Sequence, residues 1–241
     1  MKSTITLTDI EHMKDALRAS LPVVKSSHRV EALARGLGWA TNASMRADLA
    51  TAPVETSPDE GAFLGYLRKH SFEAPSGSLM RAFAEASVRR AMDLEPELSG
   101  FGYRVPRDRG ETPEEAEARF LANRAEMLGE QGVDEFIRAA ELLSKFGRRK
   151  SLNRKGTSYG LKHDAERAAG DYVSKGIMIA AALAMGFSAD RTHAGSPNAY
   201  FNISSKETSP GGRRSHVTAL PSARDHHRRH VIGSMMMMMP T

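Results

Sequence analysis

Residues 173–185, VSKGIMIAAALAM, constrain this chain more than any other stretch. From Gly176 to Met185 every residue is apolar or glycine, so a helix built from them has no polar face to turn to water. Such a helix has to lie inside other elements, and its Ala and Gly content lets neighbours approach on all sides. Gly186 marks its end. The run falls short of the roughly 18 apolar residues of a membrane span, so no membrane is expected as a partner. The fold class that follows is mainly α. A helical N-terminal subdomain precedes a larger helical domain, and a small C-terminal β-hairpin makes the whole α+β.

The flanking segments read in order. Residues 8–21 predict a helix with Thr8 as cap, Glu11 three residues on, and Met13, Leu17 and Leu21 inward. A second helix begins at Ser26 or Ser27 and stops at Gly36 and Gly38, and a short one covers 43–50. Ala34 and Gly38 have the spacing of a helix-turn-helix, but Ser44 stands where a branched apolar residue is needed. The alternative is a helical hairpin docking Val30, Leu33, Leu37, Trp39, Met45 and Leu49; Arg29, Arg35 and Arg46 keep the first reading open. Residues 51–59, TAPVETSPD, read as a turn-rich linker.

Helices follow at 59–70 (Phe63, Leu64 and Leu67 inward) and 78–94 (Leu79, Phe83, Ala86 and Met92 inward), with one short strand at 101–105. Thr112-Pro113-Glu114-Glu115 opens a helix to about Leu128, and another covers 133–146. A helix at 159–169 and strands at 187–191 and 199–203, joined by THAGSPN, complete the series. The expected units are 1–52, 59–205 and a disordered basic tail, 206–241, rich in His and Met.

Charge is sharply segregated, which the net value of +5 hides. Residues 145–167 hold eight Lys or Arg against Asp164 and Glu166; residues 111–141 hold nine acids against Arg119, Arg124 and Arg138. From Lys206 onward six bases face two acids. Overall pI is therefore a poor guide to partners. With 6% aromatics the core must be Leu, Ala, Val, Ile and Met, and with no cysteine there are no disulfides or thiolate metal sites. The N-terminus has no signal-peptide core, and a cytoplasmic location is expected. No glycine-rich phosphate loop or metal signature is present, so no cofactor is expected.

Three segments carry a family resemblance: SSHRVEALARGLGW with TNASMRADLA, LEPELSGFGYRV, and LNRKGTSYGLKHDAERAAGDYVSKGIMIAAALAMGF with GSPNAYFNIS. Together they resemble uncharacterised bacterial proteins carried by plasmids, prophages and other mobile elements, over most of residues 20–205. Lys175 departs from that pattern, which has Asn there. The resemblance implies a mobile-element accessory setting and supplies no catalytic residue.

Four groups of side chains qualify as sites. The basic loop 148–158 offers Arg148, Arg149, Lys150, Arg154 and Lys155, with Ser151, Asn153, Thr157 and Ser158 interleaved and Lys162 just beyond. Cations with hydroxyls and loop amides suit phosphate oxygens of DNA or RNA without base readout. The competing account is neutralisation by the acidic 111–141 helices of the same chain or a second copy. The tail adds Arg213, Arg214, Arg228 and Arg229 as a flexible arm. On a helix, Tyr159, His163 and Glu166 share a face and make a hydrolase-like general-base set, or two ligands of a metal with His193 as third; an exposed ion-paired helix is the plainer reading. Asn198, Tyr200 and Asn202 lie on one face of a strand, opposite Ala199, Phe201 and Ile203, and form a pocket if they face Tyr159 and His163; turn hydrogen bonds at the strand ends are the plainer role of the two asparagines. Nucleic-acid binding leads. A protein-interaction or inhibitor role, with a host protein or in a homo-oligomer, is the second hypothesis; an enzyme is the third.

Overall fold

The computed structural model describes residues 2–104 and 107–207, with side chains described through Ser204. Its elements are β1 (Ser3–Ile5), α1 (Leu7–Ser20), α2 (Ser26–Gly36), α3 (Asn42–Thr51), β2 (Val54–Thr56), α4 (Glu60–Lys69), α5 (Ser78–Leu94), β3 (Leu98–Ser99) and β4 (Gly102–Tyr103). They continue as α6 (Pro113–Met127), α7 (Glu130–Leu143), β5 (Phe146–Thr157), α8 (Ser158–Ala169), α9 (Lys175–Ala184), β6 (Ala189–Arg191) and β7 (Ala199–Glu207). The protein is mainly helical with a small C-terminal antiparallel sheet of order β5-β7-β6. Among the described residues no helix is long and apolar enough to cross a membrane.

The apolar run is α9, buried from Gly176 to Ala182. Ser174 caps it by accepting from Ile177 N at 3.3 Å, and Gly186 leaves it at φ +78°. Its first turn is wedged against the β3–β4 turn: Gly176 N donates to Gly100 O at 3.0 Å, and a Cβ on Gly176 would sit 1.7 Å from Ser99 O. Only glycine fits there. Gly102 is in the same position against Pro197, whose carbonyl accepts from Tyr103 N at 3.2 Å.

Two apolar cores meet at α5. One gathers Ile5, Ile10, Met13, Leu17, Leu33, Met45, Phe63 and Phe83 from β1 to α5; the other gathers Val88, Phe136, α9, Phe201 and Ile203. Leu79, Ala82, Phe83 and Ala86 of α5 face the first, and Ala84, Val88, Ala91 and Met92 face the second. This is the i, i+3, i+4 spacing of a helix buried on two sides. Arg90 clasps the two halves, donating to Asp9 Oδ2 at 2.9 Å, Ser3 Oγ at 2.9 Å, Ala184 O at 3.4 Å and Thr4 O.

Several expectations need correction. The 51–59 stretch contains β2, which pairs with β1 (Thr4 opposite Glu55), so its extended residues are sheet rather than linker. α1 is capped by Thr6 with Asp9, not Thr8 with Glu11. The single strand at 101–105 is a two-strand hairpin, 98–103, closed over Gly100 and Phe101. α7 ends at Leu143, and Phe146 opens a strand. In the N-terminal hairpin Leu33, Leu37, Met45 and Leu49 are buried and Trp39 packs beside them, while Val30 is half-exposed and outside the core. Ser44 closes a capping box with Thr41, and Arg46 pairs with Glu11 at 3.2 Å. Arg29 is spent on the carbonyls of Leu21 and Val24.

Candidate nucleic-acid interface

The basic segment 148–158 reads as a loop in the sequence, but all of it except Ser158 belongs to the edge strand β5 (Phe146–Thr157). The reason is non-local. Strand β7 turns Ala199, Phe201 and Ile203 into the core, and its buried backbone requires hydrogen-bonding partners on both sides. β6 covers three residues of it, and β5 covers the other edge. Charged sequence without alternation thereby becomes strand because its neighbour demands one.

The pairing is uneven, and the irregularity places the charges. Arg148 is opposite Ile203 and Asn153 opposite Phe201, so five steps along β5 face two along β7. From Asn153 to Thr157, opposite Tyr200, four steps face one. The excess residues bulge from the edge, and they include Arg149, Lys150, Arg154 and Lys155. Two asparagines hold the bulges in place. Asn153, buried, donates to Ile203 O at 3.3 Å and accepts from Lys155 N at 3.1 Å. Asn202 donates to Arg149 O at 2.9 Å and accepts from Ser188 N at 2.8 Å.

Arg149, Lys150, Arg154 and Lys155 are exposed, and none makes an ion pair among the described residues. Arg148 differs: it lies 3.3 Å from Glu55 and 3.4 Å from Gly186 O. Among the described residues none of the acids of 111–141 pairs with the four exposed cations, and several are engaged elsewhere. Glu111 pairs with Arg119 at 2.7 Å, Asp134 pairs with Arg81, and Glu135 accepts from Ser174 N at 2.9 Å. No ion pair within the described chain neutralises the four bulge cations. Of the interleaved polar residues, Ser158 accepts from Ala199 N at 3.0 Å, Thr157 caps α8 and Asn153 clamps the sheet; Ser151 remains exposed.

Lys162 was expected beside phosphate and is not there. Its side chain is 8% exposed, with Nζ 2.6 Å from Glu166 Oε1 and 3.1 Å from Val173 O, and it lies 4.6 Å from the Tyr172 ring centroid. The i, i+4 spacing put Glu166 in reach, and the chain returning after α8 covered the ammonium. Glu166 also accepts from Val173 N at 3.2 Å and lies 2.6 Å from His163 Nδ1. Burial pushes its carboxyl up, but the bonds from Lys162, Val173 N–H and His163 outweigh that and hold it below the ordinary carboxylate range. Lys175, half-buried at the start of α9, is pushed down by burial and then by the nearby charge of Lys162.

Tyr159, His163 and Glu166 do come together, with the Tyr159 and His163 ring centroids 4.5 Å apart, edge to face. They do not form an enclosed site. Tyr159 is 51% exposed, and the shallow depression nearby is lined by His163, Glu166, Arg167, Gly170, Asp171 and Tyr172, without Tyr159. Both oxygens of Glu166 are engaged, Oε1 by Lys162 and Oε2 by His163 Nδ1. No hydrogen bond or ring contact among the described residues joins Asn198, Tyr200 or Asn202 to Tyr159 or His163, although the strand and the start of α8 meet through Ala199 N and Ser158 Oγ. The alternation itself is present, with Ala199, Phe201 and Ile203 in the core and Asn202 spent as a strand clamp. His193 is exposed, its Nδ1 3.0 Å from Ala194 O, and no group of three potential metal ligands forms among the described residues. Arg213, Arg214, Arg228 and Arg229 lie outside the described residues.

The sequence singles out Asn153 and Asn202 but not the groups they clamp, because each bonds a segment that meets it only in the folded chain. No family model, curated protein or solved structure matches this chain.

Proposed function

We propose that this protein binds nucleic-acid backbone along the bulged edge of its C-terminal sheet, without base-specific readout, as an accessory protein of a mobile element. One observation carries the binding reading: Arg149, Lys150, Arg154 and Lys155 stand exposed on an edge strand with no ionic partner among the described residues. Four like charges within seven residues repel one another unless an external polyanion neutralises them, and phosphates at nucleotide spacing are such a polyanion. The bulges present guanidinium and ammonium groups on loops fixed by Asn153 and Asn202, so the array is held in place while its side chains stay free. The one carboxamide interleaved with the four cations, Asn153, is buried and engaged by Ile203 O and Lys155 N, and no aromatic side chain lies among them, which fits backbone contact alone. The mobile-element setting rests on the resemblance of residues 20–205.

Chain direction adds support. β7 runs to Glu207, paired with Phe146 two residues before the first basic residue of β5, and the arginines from Arg213 onward follow from that point. The test is fluorescence anisotropy with labelled duplex and single strands, comparing the full chain with residues 1–207. Binding that weakens steeply with salt and survives truncation assigns the contact to β5. Absence of binding by the full chain at low salt overturns the proposal.

A further inference from the structure

Strand β5 runs directly into α8, and the second residue of that helix is an exposed aromatic, Tyr159 (51% exposed). It follows Lys155 by four residues, so the two α-carbons lie within about 14 Å, the length of about four stacked nucleotides. Gly156 and Gly160 flank it in sequence, and a Cβ at either would point into open space. The ring is also braced. His163, one turn on, meets it edge to face with centroids 4.5 Å apart, and His163 Nδ1 lies 2.6 Å from Glu166 Oε2. The other oxygen of Glu166 accepts from Lys162 Nζ at 2.6 Å and from Val173 N at 3.2 Å, which ties the brace to the buried side of α8. An edge-to-face contact occupies at most one face of the tyrosine, so the other stays clear of His163. Tyr172 is the opposite case: it is 53% exposed, but the Lys162 ammonium lies 4.6 Å from its ring centroid. No cation lies over the Tyr159 ring among the described residues.

A ring that is exposed yet braced has already lost much of the rotamer freedom that a new contact would cost, and a planar partner can cover its free face. Unpaired bases are such partners. Stacking on an aromatic side chain tolerates any sequence, because every base has a π-face. A base inside a duplex has both faces taken by its neighbours and cannot use the ring. We propose that Tyr159 stacks on an unpaired base of a strand whose phosphates lie along β5, a contact that single-stranded nucleic acid makes and a duplex does not. His163 is its positioning residue. The inference rests on phosphate binding by β5 and, like it, leaves base identity unread.

The test is fluorescence anisotropy of the full chain at low salt with three labelled probes of equal length. They are an oligothymidylate, a strand of abasic sites that keeps the phosphates and lacks the bases, and a duplex. Contacts to phosphate alone act on the abasic strand as on the oligothymidylate and cancel in that comparison. The wild type should bind oligothymidylate about tenfold more tightly than the abasic strand. Tyr159→Ala should remove that difference while moving the abasic strand and the duplex by less than about twofold. Tyr159→Phe keeps the ring and should retain the difference. His163→Ala should weaken oligothymidylate binding about threefold and leave the abasic strand unchanged, whereas a merely structural role would move all three probes together. Two results would overturn the proposal and leave the phosphate reading standing: equal wild-type affinity for oligothymidylate and the abasic strand, or Tyr159→Ala weakening all three probes alike or none. Failure of every probe to bind the wild type would overturn both.

Discussion

The basic stretch 145–167 divides into two physically different halves. In β5, four cations project from bulges and have no ionic partner among the described residues. In α8, a few residues on, each charge is tied down: Lys162 and His163 on Glu166, Arg167 on Asp164. Helical spacing brings opposite charges within reach at i, i+3 and i+4, so α8 neutralises itself. A strand edge holds its neighbours apart and has acids only where another segment supplies them, as Glu55 does for Arg148. Similar composition thus yields an ion network in one half and exposed cations without ionic partners among the described residues in the other.

This contrast is open to direct attack. The largest effect is expected from Arg149→Gln, Lys150→Gln, Arg154→Gln and Lys155→Gln combined, which should cut duplex affinity about a hundredfold at roughly 0.1 M salt while leaving the urea midpoint nearly unchanged. Lys162→Met should do the reverse. Removing one partner of a largely buried pair should cost about 3 kcal/mol in urea unfolding, and duplex affinity should move by less than about twofold. A large loss of affinity from Lys162→Met at full stability would erase the distinction between the halves.

Smaller effects sharpen it. Asn153→Ala and Asn202→Ala should each cost about 1–2 kcal/mol, because each leaves buried backbone groups of the sheet unpaired. Both should also weaken nucleic-acid binding a few-fold by loosening the bulges, an effect absent from Lys162→Met. The smallest concerns pH. The folded carboxyl of Glu166 lies below its unfolded value, so its contribution to stability is complete above the ordinary carboxylate range and is lost as pH falls through the lowered folded value. In Glu166→Gln the acid limb of the stability profile should be shallower; an unchanged limb would show that α8 carries no such network.

What could be read from the sequence was mostly local. α5 spans Ser78–Leu94 as its apolar spacing indicates, and Thr112-Pro113 starts α6 through a capping box with Glu115. The apolar run is a buried helix because no other solution satisfies its composition. The misread features depend on distant partners. β5 is a strand because β7 has an edge to fill, and the 98–103 hairpin closes because Gly102 and Gly176 admit Pro197 and the Ser99–Gly100 backbone at contact distance. Lys162 and Glu166 were visibly four apart, but the burial of that pair comes from Val173 and Tyr172, which arrive after the turn at Gly170. The candidate interface was legible as charge and illegible as geometry.

The measurement closest to the central claim is the salt dependence of duplex affinity for the wild type and for the four-glutamine variant of β5. Each phosphate contact contributes about 0.9 to the slope of log affinity against log salt. The slope of the variant should be shallower by about 3 to 4, in single-stranded as well as duplex probes after allowing for their lower charge density. Equal slopes for the two proteins would contradict the account and remove β5 as the phosphate-binding edge.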